Sequence, residues 1–264
     1  MSISFGRKVT ASGLQLLLDP KNPKSYRSGS IPGQDFYYFV KNKWILNTND
    51  ILIEGTNGSQ YFSFNGEDDA IIVPPDSWQN SSSWSVSCWL YPTTIVDRIY
   101  TFFGKGYNTG YRVSINPDGN ISLYDRNTVT LETTTQPISI VQWKNIVVTV
   151  SPTGSQIYVN GVLEASNTIA FTGNTSESPL AVGAEDDLFS APLGLEGRYS
   201  GRMFDFRFYS RVLEESEITR IYNSISDTYV FSIGGAAPSE NAILLDGENN
   251  VLLTDENGEI LLLP

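Results

Sequence analysis

Residues 142–163 read QWKNIVVTVSPTGSQIYVNGVL, and this stretch decides the fold. Within NIVVTV, the apolar residues Ile146, Val148 and Val150 recur at every second position, so they fall on one face of an extended strand. A second apolar run, IYV, is joined to VL by the dipeptide NG, which supplies the positive φ angles that a short hairpin turn requires. The stretch therefore predicts half-buried antiparallel strands.

The same alternation recurs about every ten residues, from about residue 55 to residue 210, which is a spacing typical of β-sandwiches. In one segment, Phe204, Phe206 and Phe208 are predicted to share a single face, because they lie two residues apart. We therefore predict an all-β sandwich of two antiparallel sheets, with one short C-terminal helix and a small β-rich tail. The other predicted strands are Leu14–Leu18, Tyr61–Phe64, Trp84–Leu90 and a hairpin that joins Val113–Ile115 to Ile121–Leu123.

The helix is predicted over Leu213–Asn223. Its first turn is acidic, which complements the helix dipole, and its apolar side chains recur at helical spacing. We expect the apolar stripe of Leu213, Ile218, Ile221 and Tyr222 to lie against the sandwich.

Composition argues against several classes of partner. The 264 residues carry 29 acidic and 17 basic side chains, a net charge of −12, and show no Lys/Arg cluster of the kind that binds nucleic acid. No run of about 18 apolar residues predicts a membrane span, and the first residues do not resemble a signal peptide. We therefore expect a protein that is made in a cytosol and either stays there or leaves by assembly or lysis. The one cysteine, Cys88, is expected in the core.

Most catalytic chemistry is absent from the sequence, so we expect a protein that is not an enzyme. There is no histidine, which excludes Ser-His-Asp and Cys-His systems and zinc sites that contain histidine. The two glycine-rich motifs that bind nucleotide phosphates, G-x-x-x-x-G-K-[ST] and G-x-G-x-x-G, are both absent from the sequence. A glycosidase needs only two carboxylates on one face of a sheet. The acids in Glu67–Asp69 and in Glu185–Asp187 are consecutive, so adjacent ones point to opposite faces of an extended strand and do not form such a pair.

Two acidic triplets and three aromatic residues are the candidate ligand-binding residues. Asp68, Asp69, Asp186 and Asp187 could supply oxygen ligands to calcium, the only cofactor that the sequence suggests; alternatively, the first two cap turn amides and the others face solvent. Trp78, Tyr107 and Tyr111 lie near predicted loops and could stack on a sugar, or could pack at the base of their loops.

The chain divides into a sandwich over 1–226, a linker over 227–240 and a tail over 241–264. Within the sandwich, 25–58 is a possible insertion whose aromatic residues could anchor a partner protein, or whose strands could form an outer layer of the sheet. The tail repeats a short apolar strand followed by an acidic turn; it could dock on another subunit or another protein, or fold back as a hairpin. The candidate partner-binding residues are Phe36, Tyr38, Trp44, Leu244, Leu252 and Leu261.

Six blocks, in order over about residues 14–223, resemble the concanavalin A-like, laminin-G-like domains of phage structural proteins, particularly those of cyanophages. The blocks are GLQLLLDPKNPKSY, FSFNGEDDAIIVP, WSVSCWLYP, FGKGYNTGYRVSINPDGNISL, QWKNIVVTVSPTGSQIYVNGVL, and PLAVGA with GRMFDFRFYSRVLEESEITRIYN. The resemblance implies a jelly roll in which the first strand, near Leu14–Leu18, lies close to the last, near Met203–Tyr209. Some relatives bind calcium at the rim of the sandwich. The family helix usually begins with Ser or Thr, whereas Glu214 stands here.

The resemblance also implies a function in a virion. The first expectation is a non-enzymatic structural protein of the particle: a capsid decoration, a fibre or a baseplate-associated protein. Its partners would be other virion proteins or copies of itself. The alternatives are an adhesin that recognises carbohydrate on the host surface and a polysaccharide depolymerase. The fold alone does not decide among them.

Overall fold

The computed structural model describes residues 12–20, 35–38, 43–48, 51–55, 60–95, 98–106, 109–133, 135, 137–172, 177–186, 195–229, 244–245, 251–254 and 260–261. Within these ranges strands predominate, together with one α-helix and a short 3-10 helix, Ser77–Asn80. The strands are β1 (Leu14–Leu18), β2 (Asp35–Tyr38), β3 (Lys43–Thr48), β4 (Leu52–Glu54), β5 (Tyr61–Asn65), β6 (Ala70–Val73), β7 (Trp84–Pro92), β8 (Tyr100–Lys105), β9 (Tyr111–Ile115), β10 (Ile121–Asp125), β11 (Thr128–Glu132), β12 (Lys144–Ser151), β13 (Gly154–Val159), β14 (Val162–Asn167), β15 (Leu180–Val182), β16 (Glu185–Asp186), β17 (Leu195–Glu196), β18 (Ser200–Tyr209), β19 (Leu244–Leu245), β20 (Val251–Thr254) and β21 (Ile260–Leu261).

Two antiparallel sheets form the predicted jelly-roll sandwich. Sheet A has the order β14-β13-β12-β7-β18-β5-β4, and sheet B has the order β11-β10-β9-β8-β15-β6-β3-β2. The first strand, β1, pairs with β18, with Leu16 opposite Phe208, as the resemblance implies. The strands of the possible insertion extend both sheets, because β2 and β3 continue sheet B and β4 continues sheet A.

The inward residues of both sheets form one core. Trp84 is fully buried at its centre, and its ring stacks on Tyr111 at 4.9 Å and on Phe208 at 5.7 Å between ring centroids. Cys88 belongs to the same cluster, as predicted. Because the described part of the chain has no disulfide, packing of these rings and aliphatic side chains holds the two sheets together.

The hairpins also follow the prediction. Asn160 has φ of 52° and Gly161 has φ of 78°, so both central residues of the β13–β14 turn are left-handed, as a two-residue turn of this type requires. Gly119, in the turn between β9 and β10, has φ of 83°.

The prediction that Phe204, Phe206 and Phe208 share one face is wrong. The pairing of β18 with β7 shifts register between Phe204 and Arg207, and Asp205 within that interval has a left-handed φ of 52°. This bulge inserts one extra residue, so Phe206 and Phe208 enter the core while Phe204 packs on the outer face of sheet A.

The helix α1 (Glu215–Tyr229) is longer than predicted and extends beyond the domain boundary placed at 226. The Glu217 carboxylate accepts a hydrogen bond from the Glu214 backbone amide at 3.0 Å and two from the Arg211 guanidinium at 2.7 Å, so a side chain of the first turn caps the helix in place of Ser or Thr. Among the described residues, no helix is both long enough and apolar enough to span a bilayer.

Candidate functional site

The outer face of sheet A, which points away from the core, is divided by the helix. Leu213, Ile218 and Ile221 pack on Val147, Tyr158 and Tyr209 of the sheet, as the apolar stripe predicts. At one side, Tyr222 stacks on Trp89 with ring centroids 5.8 Å apart. Among the described residues, the helix covers only the middle of this face.

A groove of about 390 Å³ lies at the end of this face where β7 begins. Its floor follows one row of paired positions, since Gln156 lies opposite Thr149 on one side and opposite Ser166 on the other. The β12–β13 turn forms one wall, and Val212, which precedes the helix, forms the other. The groove is lined by Thr149, Ser151, Thr153, Gly154, Ser155, Gln156, Ser166, Asn167 and Val212.

Hydrogen bonds fix the position of Gln156 at the centre of the groove. Its Oε1 accepts hydrogen bonds from the Tyr158 hydroxyl at 3.2 Å and from Thr149 Oγ1 at 3.4 Å. Among the described residues, Gln156 Nε2 has no acceptor and the Ser166 hydroxyl has no partner. Both groups are therefore available to a ligand, and Ser166 can either donate or accept.

The lining of the groove carries no charged side chain, although the chain as a whole has a net charge of −12. Hydroxyl and amide groups both donate and accept hydrogen bonds, as the hydroxyl groups of a sugar do. The groove therefore suits a neutral polyhydroxyl ligand. None of the described residues that line the groove is a carboxylate that could act as a general acid or nucleophile in glycoside hydrolysis.

Three acids of the two triplets, Asp68, Asp69 and Glu185, make hydrogen bonds within the protein. Asp69 accepts a hydrogen bond from the Asn65 backbone amide at 2.8 Å, and Asp68 accepts one from the Asn65 side chain at 2.7 Å. Asp69 thus caps a backbone amide of the turn, whereas Asp68 bonds a side-chain amide. Among the described residues, no three His, Cys, Asp or Glu side chains form a group that could hold a metal ion. Asp187 and the side chain of Asp186 lie outside the described part.

Glu185, which begins the second triplet, is part of a buried ion pair. Its carboxylate accepts hydrogen bonds from Arg112 Nη1 at 2.9 and 3.0 Å, and the guanidinium lies 3.8 Å from the centre of the Tyr124 ring. A side chain at Gly104 would contact the Glu185 Cα at 3.5 Å, which shows that β16 crosses over β8 on the outer face of sheet B. The pair therefore fastens the β16–β17 hairpin to that sheet.

The aromatic candidates require a correction. Trp78 is only 7% exposed, with its ring 4.9 Å from that of Phe208, and Tyr111 is 1% exposed against Trp84. Both belong to the core, so neither can present a ring face to a sugar. Tyr107 lies outside the described residues.

The candidate partner-binding residues all lie in strands, but their side chains fall outside the described part. Phe36 and Tyr38 belong to β2, and Trp44 belongs to β3. Leu244, Leu252 and Leu261 belong to β19, β20 and β21, which form a three-stranded sheet as the repeat suggests. Whether these residues bind a partner stays a prediction.

Sequence reasoning missed Thr149, Gln156 and Ser166, although the pattern contained a signal. When Ile146, Val148 and Val150 face the core, Thr149 must face outwards, and the hairpin register places Gln156 beside it. Polar residues at outward positions of neighbouring strands were thus predictable. Their enclosure by Val212, which is distant in sequence, was not.

Comparison with known families gives one match over most of the sandwich. The model described as the concanavalin A-like lectin/glucanases superfamily matches residues 65–219, a range that includes the whole groove. A comparison with curated proteins finds no match.

Several solved structures have the same fold. Domain 4 of an extracellular arabinanase from Geobacillus stearothermophilus, in complex with arabinotriose, is 22% identical with a TM-score of 0.57, over 80% of this chain and 98% of that domain. Botulinum neurotoxin type C, whose cell entry depends on interaction with two ganglioside molecules, is 16% identical with a TM-score of 0.58, over 80% of this chain and 51% of that one. A Trypanosoma rangeli sialidase is 13% identical with a TM-score of 0.56, over 80% and 33%. At these identities the likeness shows the fold alone.

Proposed function

The chain belongs to the concanavalin A-like lectin/glucanases superfamily, and from this premise we propose that it is a non-catalytic carbohydrate-binding protein of a bacteriophage particle. The observation that carries the proposal is the uncharged groove on the outer face of sheet A. Neutral sugars bind through arrays of hydroxyl and amide partners, and a site without fixed charge does not have to desolvate an ion when the ligand enters.

The neighbouring structures support carbohydrate as the ligand class. One is an arabinanase domain in complex with arabinotriose, and another is a toxin whose cell entry depends on gangliosides. Both interactions belong to those proteins, and they support carbohydrate as the class of ligand. We therefore extend the class of ligand to this chain, and not the particular sugar.

The proposal of a non-catalytic role rests on the composition of the groove. Hydrolysis of a glycoside needs two carboxylates on either side of the bond, and none lines the groove. The described Glu185 is held by Arg112 and Asp69 by a backbone amide, so each already has a structural role. The sialidase among the neighbours makes a direct assay of turnover necessary.

The proposal of a virion role rests on the resemblance of six sequence blocks to phage structural proteins, together with the β-rich tail. A protein that covers a particle and a protein that binds host glycans are compatible functions, since one chain can do both. Immunogold labelling of purified particles tests this part. Label on the shell or tail is expected, and particles without the chain would contradict it.

Binding is tested with a glycan array followed by calorimetry on the best neutral oligosaccharide. Gln156→Ala removes the free amide and should weaken binding about five- to thirtyfold, because one or two hydrogen bonds of about 1 kcal/mol are lost. The matched control is Gln142→Ala, since Gln142 is exposed and outside the groove. Equal affinity of both variants would refute the groove as the site, and release of reducing sugar by the wild type would refute the non-catalytic role.

A further inference from the structure

A second cluster occupies the opposite end of the outer face of sheet A. Arg202 of β18 lies directly opposite Tyr91 of β7 and opposite Ser63 of β5. Its guanidinium carbon is 4.7 Å from the centre of the Tyr61 ring and 4.9 Å from that of Tyr91. The rings of Tyr61 and Tyr91, which lie on the two strands that flank β18, therefore hold this cation between them.

Trp143 keeps the two rings in place. Its ring centroid is 5.2 Å from that of Tyr91 and 6.1 Å from that of Tyr61, and its edge packs against Phe204 at 4.9 Å. Phe204 reaches this cluster only because of the bulge at Asp205. We call Arg202, Tyr61, Tyr91 and Trp143 the arginine platform.

The guanidinium of Arg202 makes no hydrogen bond or ion pair in the part of the chain that the structure describes. Among the described residues, its side chain has no hydrogen-bond acceptor and no carboxylate within 4.0 Å. By contrast, Arg112 and Arg207 are each paired with a carboxylate at 2.8–2.9 Å. Arg202 is half-buried, so its N–H groups can meet a ligand from solvent.

We propose that the arginine platform is a second binding site, which takes the carboxylate of an acidic saccharide. A planar guanidinium with free N–H groups matches a carboxylate with two parallel hydrogen bonds. The flanking rings orient the guanidinium, and the half-buried Tyr91 can offer part of its ring to the C–H groups of the sugar. This proposal rests on the proposed function, because it takes carbohydrate as the class of ligand. The residues of the platform are different from those of the groove.

The two sites are far enough apart to be tested separately. Ser85 of β7 pairs with Thr149 in the floor of the groove, and Tyr91 lies six positions further along the same strand. At about 3.3 Å per residue the separation is about 20 Å. A short oligosaccharide therefore occupies one site at a time, and a variant of one site leaves the other intact.

The test is calorimetry of the full chain with an oligogalacturonide, its neutral methyl ester and a sulfated galactan. We expect the oligogalacturonide to bind, with at least tenfold weaker affinity for Arg202→Gln and for the methyl ester. Arg220→Gln, which removes an exposed helix cation outside the platform, should bind like the wild type. Gln156→Ala should also leave this affinity unchanged, which separates failure of the platform from failure of the groove.

Three outcomes would overturn the proposal. They are equal binding by Arg202→Gln, no binding of the oligogalacturonide by the wild type, and preference for the sulfated galactan over the carboxylate. If Arg202→Gln does not fold, NMR mapping on the wild type decides instead. The Trp143 indole signal should then shift on addition of the oligogalacturonide and not on addition of its ester, and an unmoved signal would refute the site.

Discussion

A fully buried lysine gives the sharpest prediction about stability. Lys105, at the end of β8, donates a hydrogen bond from Nζ to Gln79 Oε1 at 3.0 Å, and Gln79 is itself fully buried and bonded to the Pro74 carbonyl. Burial lowers the pKa of Lys105 from 10.5 to about 8, although Glu177 and Asp76 act in the opposite direction. At pH 7 the native protein therefore holds a protonated amine in an environment that disfavours its charge.

The magnitude follows from the two pKa values. The Lys105 pKa is about 8 in the native protein and 10.5 in the unfolded chain. Below pH 8, where the amine is protonated in both states, this difference destabilises the native protein by about 3 kcal/mol. As the pH rises through 8 towards 10.5, the native amine loses its proton first and the cost disappears. About 2 kcal/mol of stability should be regained by pH 9.5.

Lys105→Met removes this charge and keeps most of the side-chain volume. The variant should be about 1–2 kcal/mol more stable than the wild type at pH 7, since the unpaired Gln79 Oε1 offsets part of the gain. At pH 9.5 that advantage should vanish or reverse. Urea unfolding at both pH values measures the difference, with the half-buried Lys144→Met as the control. A difference between variant and wild type that is the same at pH 7 and pH 9.5 would refute the reasoning.

Three other predictions concern the helix, the core and the tail. The Arg211 hydrogen bonds hold the pKa of Glu217 at about 2, so Glu217→Gln should lower the stability of the protein by about 1–2 kcal/mol above pH 4.5. The difference from the wild type should fade as the pH falls towards 2. Thermal melts measure it, with Glu215→Gln as the control. Gly183 has φ of +88°, and an added Cβ would lie 2.2 Å from the Phe64 ring, so Gly183→Ala should cost about 3 kcal/mol or more in urea unfolding. Gly197→Ala, at φ of +55° with the added Cβ 3.0 Å from Thr101 Oγ1, should cost less, about 1 kcal/mol. A larger loss for Gly197→Ala than for Gly183→Ala would contradict this reasoning. A chain ending at Tyr229 should melt like the full chain but assemble less well, and equal incorporation into particles would exclude docking by the tail.

The sequence predicted the sandwich because alternation is a local signal. The pairing of β12 with β13 needs only the inward face of NIVVTV and the turn at Asn160 and Gly161, both of which can be read directly from the residues. Phe204 was assigned to the wrong face because one left-handed residue, Asp205, reverses the alternation. The alternation of apolar and polar residues along the sequence gives no sign of such a bulge.

The candidate sites were harder to predict because they depend on contacts between distant residues. Trp78 was expected near a loop but lies in a short 3-10 helix, Ser77–Asn80, where Phe208, 130 positions further along the chain, covers its ring. Arg202 is placed between Tyr61 and Tyr91 by the order of three strands in sheet A. A pattern along one strand cannot reveal which strand will lie next to it.

The central claim is that the outer face of sheet A binds carbohydrate. The most direct measurement is a crystal structure of the protein with the neutral oligosaccharide that binds tightest in the array. The sugar should lie in the groove, with hydroxyl groups within about 3 Å of Gln156 Nε2 and Ser166 Oγ. A sugar bound on sheet B or at the sandwich rim, with the groove filled only by solvent, would contradict the claim.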